Sequence, residues 1–204
     1  EIKECDWSSD VCSYDLDAPS VKYRDAGDVF PDNTEFAWTL AIGAADMDRD
    51  GLPELYIAND FGPDQMFWNQ SKPGSVVFKE LKGAQGAFIP ESKSMGHDSF
   101  KGMSADFGDI NHDGIFDIFV SNIGSPFALG ESHFLWTSTG EVRSFRDGVA
   151  PWIDNGIKLG VGHSAWAWDT RFEDFNNDGT LELVQATGLV KGTANKWPDL
   201  AQVG

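Results

Sequence analysis

The sequence predicts an all-β protein built of repeats, and three observations carry that prediction. A nine-residue acidic segment occurs three times: Asp46-Met-Asp-Arg-Asp-Gly-Leu-Pro-Glu54, Asp109-Ile-Asn-His-Asp-Gly-Ile-Phe-Asp117 and Asp174-Phe-Asn-Asn-Asp-Gly-Thr-Leu-Glu182. All three obey D-x-[D/N]-x-D-G-x-x-[D/E], and their starts lie 63 and 65 residues apart, the spacing of one structural unit per copy. Each copy is followed by a short run rich in β-branched and aromatic residues, Leu55 to Ala58, Ile118 to Val120 and Leu183-Val184, which reads as a strand. About four short strands fit each interval, which suits the blade of a propeller. A two-sheet sandwich is the alternative, and the in-phase loops favour the propeller.

The residue types set the chemistry of the loop. Positions 1, 3, 5 and 9 offer oxygen and never sulfur or imidazole: Asp46, Asp48, Asp50 and Glu54; Asp109, Asn111, Asp113 and Asp117; Asp174, Asn176, Asp178 and Glu182. Hard oxygen donors select Ca²⁺ or Mg²⁺ over zinc or copper, and so many in one flexible loop favour Ca²⁺. The glycine at position 6 permits the sharp turn, and the carbonyl at position 7 (Leu52, Ile115, Thr180) is the expected further ligand. An EF-hand needs Glu at position 12 between two helices. Position 12 here is Ile57, Val120 and Gln185, so the unit is a loop leading into a strand. A metal-free acidic turn is the plain alternative for a single copy. Three copies in phase point to about three Ca²⁺ sites.

The pattern resembles the FG-GAP or VCBS repeat, the blade of integrin-α-like β-propellers. Its flanks are closer to the cartilage acidic protein and ASPIC/UnbV group, on the match of Asp109 to Asn122 and on Ser144-Phe-Arg-Asp147 and Val77-Phe-Lys-Glu80. The resemblance covers roughly Phe36 to Gly188. It departs at Glu54 and Glu182, where the family usually has Asp, and at the Asn of position 3. The middle loop fits best. The resemblance implies three consecutive blades, the last incomplete, of a non-catalytic Ca²⁺-binding propeller. The expected role is adhesion or recognition of a protein or glycan by a secreted, periplasmic or cell-surface protein. The alternatives are the propeller part of a carbohydrate-active enzyme such as a polysaccharide lyase, and a structural spacer.

Taken in order, residues 1–16 fit no blade element, and Asp6 to Leu16 resembles translated sequencing-adapter sequence, differing at Tyr14. The only cysteines, Cys5 and Cys12, fall in or beside it and assign no redox compartment. Residues 17–37 read as a linker or the tail of a preceding blade. Blade 1 spans 38–101, with Trp38 to Ile42 entering the loop and Gln65 to Trp68 and Val76 to Leu81 as later strands. Blade 2 spans 102–163, entered by Gly102 to Phe107 and completed by His133 to Trp136 and Val142 to Phe145. Blade 3, 164–204, is entered by Ser164 to Trp168. There Trp166 and Trp168 alternate with alanine and so share a face.

Apolar content of 41% and aromatic content of 13% are globular values. The net charge of −18 argues against nucleic acid and anionic membrane surfaces as partners. The three loops carry four, three and three of the negative charges. No run approaches the length of a membrane-spanning helix. Among the four histidines, His97-Asp98 and His163 each precede an approach strand. They are the candidate acid–base pair of the enzyme alternative, against the plainer reading as polar loop residues.

Overall fold

The computed structural model describes residues 27–31, 37–125 and 130–188. The adapter-like stretch with both cysteines, most of the 17–37 linker, Phe36 and residues 189–204 lie outside these. The described chain is all-β, with two antiparallel four-stranded arrays and a hairpin. The first array runs β1 (Thr39–Ala45), β2 (Glu54–Asn59), β3 (Gln65–Asn69) and β4 (Phe78–Gly83). The second runs β5 (Ser104–Gly108), β6 (Asp117–Ser121), β7 (Phe134–Ser138) and β9 (Trp152–Asp154). The hairpin pairs β10 (Ala167–Glu173) with β11 (Glu182–Thr187).

Register is shared by all three units. The residue before each acidic loop pairs with the ninth residue of the loop: Ala45 with Glu54, Gly108 with Asp117, Glu173 with Glu182. The loop is thus the closed end of a hairpin, and its carboxylates are fixed by the ladder below it.

Two strand expectations are corrected. Val142 to Phe145 is not a strand but part of a 3-10 helix, Val142–Asp147. Gly140 and Gly148 flank it with φ of 79° and 78°, and Phe145 turns inward to pack on Trp68 and Trp152. The outer strand of the second array is β9 instead. Between them, β8 (Val149–Ala150) crosses to pair in parallel with Lys82 and Gly83 of β4, so the first sheet has a fifth strand contributed by the second unit's residues. The third approach strand begins at Ala167 rather than Ser164, because Ser164 and Ala165 lie in a bend and Trp166 makes only an isolated bridge, to Ile123.

The core lies between the first and second sheets. Tyr56, Ala58, Met66 and Leu81 on one side meet Ile118, Val120, Phe134 and Trp136 on the other, all buried. Alternation along each strand puts these residues on one face. A polar chain crosses this core: the Trp136 indole N–H donates to the Tyr56 hydroxyl at 3.1 Å, and that hydroxyl donates to Asp64 at 2.8 Å. Small residues receive an aromatic ring of the next unit. A Cβ on Gly43 would come within 2.5 Å of the Phe107 ring, and one on Gly108 within 2.9 Å of Phe172. At the two ends of the stack, Trp38, Leu40 and Ile42 of the first unit and Asp169, Arg171 and Glu173 of the third face solvent.

Candidate metal centre

The three acidic loops share one backbone. Position 4 is left-handed without being glycine (Arg49 φ 63°, His112 φ 58°, Asn177 φ 59°), and the glycine at position 6 follows at φ 89°, 84° and 87°. A non-glycine residue there is strained, and it persists only where the surroundings impose it. Here the side chains impose it through one repeated hydrogen-bond scheme.

The position 1 carboxylate accepts the glycine N–H of position 6: Asp46 from Gly51 at 3.1 Å, Asp109 from Gly114 at 2.8 Å, Asp174 from Gly179 at 2.8 Å. Position 3 accepts the N–H of position 5, through Asp48, Asn111 and Asn176. Position 5 accepts the N–H of position 7, through Asp50, Asp113 and Asp178, each at 2.8 Å. The acid at position 9 reaches back to the N–H of position 2: Glu54 to Met47 at 2.7 Å, Asp117 to Ile110 at 3.2 Å, Glu182 to Phe175 at 2.9 Å. Every oxygen-bearing side chain that the sequence marks as a ligand is therefore also a turn-former. These bonds hold the loop and leave further oxygen lone pairs for a cation.

The loops differ in what those remaining oxygens meet. In the first, carboxylate oxygens of Asp46, Asp48 and Asp50 lie within 4.8 Å of one another, and no other such group of acidic, histidine or cysteine ligands occurs among the described residues. Asp46 Oδ1 is buried with no hydrogen-bond partner, a costly state for a carboxylate oxygen unless a cation takes it. Burial, with the charge of Asp50 next in weight, raises Asp48 above the usual carboxylate range. A divalent ion reverses both effects. The donors present fit a hard cation.

In the third loop, Asn176 turns its amide N–H₂ inward, donating to Asp178 at 3.0 Å and to Glu182 at 2.9 Å. The amide meets the carboxylates as a weak neutral stand-in for a cation. The Thr180 N–H holds Asp178 below its ordinary range. The second loop is intermediate, with Asn111 at position 3. The sequence places the middle loop nearest the family pattern, whereas the structure brings three carboxylates together in the first, because position 3 there is Asp48.

The acid at position 9 does more than the sequence implies. Glu54 is fully buried, and its second oxygen accepts the N–H of Asn69 on β3 at 3.3 Å. Burial pushes it up to about 7. Asp117, also buried, accepts Ser138 N–H on β7 at 2.7 Å, and burial raises it too. These two side chains clamp the loop to the neighbouring strand. In the first two units the loops also touch: the Arg49 guanidinium donates to the carbonyl of Gly114.

A family model described as an FG-GAP-like repeat matches residues 46–120. The match runs from the first residue of the first acidic loop into β6, and so includes two of the three loops. No curated protein matches the chain significantly.

The remaining candidates lie at the opposite ends of the strands. His97 bonds Gln85 at 3.3 Å. Asp98 is buried and accepts the N–H of Asp64 at 3.2 Å. His163 is exposed on the connection from β9 to β10. His133, expected as the first residue of a strand, lies just before β7 and is fully buried. Trp166 and Trp168 stack at 5.5 Å with their N–H groups donating to Met103 sulfur and Gly188 carbonyl, and Trp168 is 46% exposed. No helix among the described residues is long and apolar enough to cross a membrane.

Proposed function

We propose that this chain is a Ca²⁺-binding repeat region of a β-propeller. Its role is non-catalytic recognition or adhesion outside the cytoplasm, with a protein or glycan as ligand. The cation sites are Asp46, Asp48, Asp50, the carbonyl of Leu52 and Glu54 in the first loop. Asp109, Asn111, Asp113, Ile115 and Asp117 form the second, and Asp174, Asn176, Asp178, Thr180 and Glu182 the third. The observation that carries the reading is the first loop: three carboxylates converge there, with a buried Asp46 oxygen unpartnered. The FG-GAP-like match over residues 46–120 supports the repeat architecture, and the finer kinship to the ASPIC/UnbV group is part of the proposal. When bound, the ion supplies charge compensation and ties the loop to the strand that follows it. Affinities on the order of 10⁻⁴–10⁻³ M, common for extracellular modules, suit the Ca²⁺ outside cells. Melting in 2 mM Ca²⁺, 2 mM Mg²⁺ and EDTA tests the metal. A midpoint raised by Ca²⁺ and little by Mg²⁺ is expected, and equal midpoints in all three would remove the claim. Binding to glycan and matrix-protein arrays with and without EDTA tests recognition, and Ca²⁺-dependent retention of a defined ligand is the expected result.

A further inference from the structure

Asp64 and His133 occupy the same place in successive units, each just before the third strand. Asp64 Oδ1 accepts the N–H of Asn59 at 2.8 Å, and His133 Nδ1 accepts the N–H of Asn122 at 3.0 Å. Asn59 and Asn122 stand at the same position of the repeat, thirteen residues after Asp46 and Asp109. One unit thus fills the position with a carboxyl group and the next with an imidazole.

The imidazole's hydrogen bonds fix its tautomer. Nδ1 must offer its lone pair to Asn122, so the ring proton sits on Nε2 and faces Ser164 Oγ at 2.8 Å. The Ser164 hydroxyl donates onward to Gln185 Oε1 at 2.8 Å. The chain Asn122–His133–Ser164–Gln185 joins the connection before β7, the connection before β10, and β11. It spans the seam between the second sheet and the third hairpin. It also excludes His133 as a base toward Ser164, because the nitrogen facing that hydroxyl carries the proton.

We propose that His133 is an acid-sensitive latch on this seam: neutral, it ties the third unit to the second, and protonated at Nδ1 it opposes one donor to another and lets the seam loosen. The surroundings offer the added charge no compensation. The ring is fully buried beside Phe119 at 5.8 Å, and a Cβ on Gly124 would come within 2.5 Å of Nε2. The charged and titratable groups bearing on it are His163, from the connection before β10, and Lys93, from the 3-10 turn Glu91–Lys93. Both disfavour a second positive charge. Lys93 is itself held by Asp154 at 2.8 Å, and Glu131, two residues from His133, is held by Lys101 at 2.9 Å. Residues 126–129 of the same connection carry no titratable side chain.

Burial and these neighbours push His133 down to about 4 from an ordinary 6.5. The folded state therefore binds its proton less readily than the unfolded chain. The latch contribution is complete above about pH 6.5 and is lost as the pH falls from there to about 4. Across this seam the hydroxyl pair Ser104–Thr170 and the Asp106–Phe172 N–H bond remain, so the third unit is expected to loosen before the buried core between the first two.

Side-chain NMR of the full chain in EDTA tests the latch independently of the metal reading. One of the four histidines is expected as the Nε2–H tautomer titrating near pH 4, with the Asn122 amide and β10–β11 amides losing exchange protection over the same range. The second arm compares denaturation of wild type and His133→Gln, a side chain that does not titrate. Relative to the variant, wild type should lose on the order of a hundredfold in its folding equilibrium constant between pH 6.5 and 4, and exposed His163→Gln should keep most of that loss, because burial is the larger cause. A buried histidine titrating near 6.5, an Nδ1–H tautomer, or parallel pH profiles for wild type and His133→Gln would overturn the proposal. If His133→Gln does not fold, the wild-type titration decides alone.

Discussion

The first and third acidic loops have the same backbone and different interiors. Each has a left-handed fourth residue, a left-handed glycine at position 6 and the same four side-chain-to-backbone hydrogen bonds. Yet the first holds three clustered carboxylates with an oxygen left over, while the third spans its carboxylates with the Asn176 amide. Loop shape and carboxylate clustering are therefore separable. Short oxygen-bearing side chains write the turn, and under the proposed function the number of charges left facing inward sets how strongly a cation is drawn in.

Several substitutions would sharpen or break this separation. The largest effect belongs to the clamp. Glu54→Ala strands the buried N–H groups of Met47 and Asn69, and should cost about 2–4 kcal/mol even in EDTA. Glu182→Ala removes a partly exposed side chain that bonds only within its own loop and should cost under about 1 kcal/mol. Equal losses by urea denaturation would mean that the two loops are braced alike.

The next effect is metal-dependent. With a Kd on the order of 0.1 mM, 1–2 mM Ca²⁺ adds about 1.4–1.8 kcal/mol per occupied site. Asp50→Ala should forfeit that increment, and Asp178→Ala less of it, because the third loop starts weaker. Stability curves with and without Ca²⁺ separate these losses from any change in EDTA.

A gain-of-charge change runs the comparison in reverse. Asn176→Asp replaces the bridging amide with a carboxylate, as at Asp48. It should tighten Ca²⁺ at the third loop by roughly tenfold and lower stability in EDTA by about 0.5–1 kcal/mol through like-charge repulsion. Stabilisation in EDTA would show that the amide bridge is not holding the loop. The smallest effect is expected from Arg49→Asn, which keeps a residue tolerant of positive φ and loses only an exposed contact to Gly114. A change under about 0.5 kcal/mol in thermal denaturation is expected.

The repeat, most of its strands and its turn-forming acidic residues could be read because they are local. Asp46 to Glu54 shows its turn residues, its oxygen alternation and its exit strand within one short window. The failures have tertiary causes. Val142 to Phe145 has strand-like composition, but the glycines on either side bend the chain and Phe145 is drawn under Trp68 and Trp152. The crossing of β8 to β4 pairs residues far apart in sequence. The equivalence of Asp64 and His133 is hidden because the connections before them differ in length, so spacing does not align them. The clamp role of Glu54 was also out of view: its second partner, Asn69, belongs to another strand. A signal for the strained fourth position was present only in Asn177, a residue type that tolerates positive φ; Arg49 and His112 give none.

The central claim is that these loops bind Ca²⁺, the first most tightly. Calorimetric titration of the metal-free full chain tests it most directly, with Asp50→Ala, Asp113→Ala and Asp178→Ala titrated alongside. Three sites in wild type and two in each variant are predicted, with the tightest step missing from Asp50→Ala and the weakest from Asp178→Ala. No heat in wild type, together with a melting midpoint that Ca²⁺ does not move, would contradict the claim and leave the loops as hairpin turns shaped by their own carboxylates.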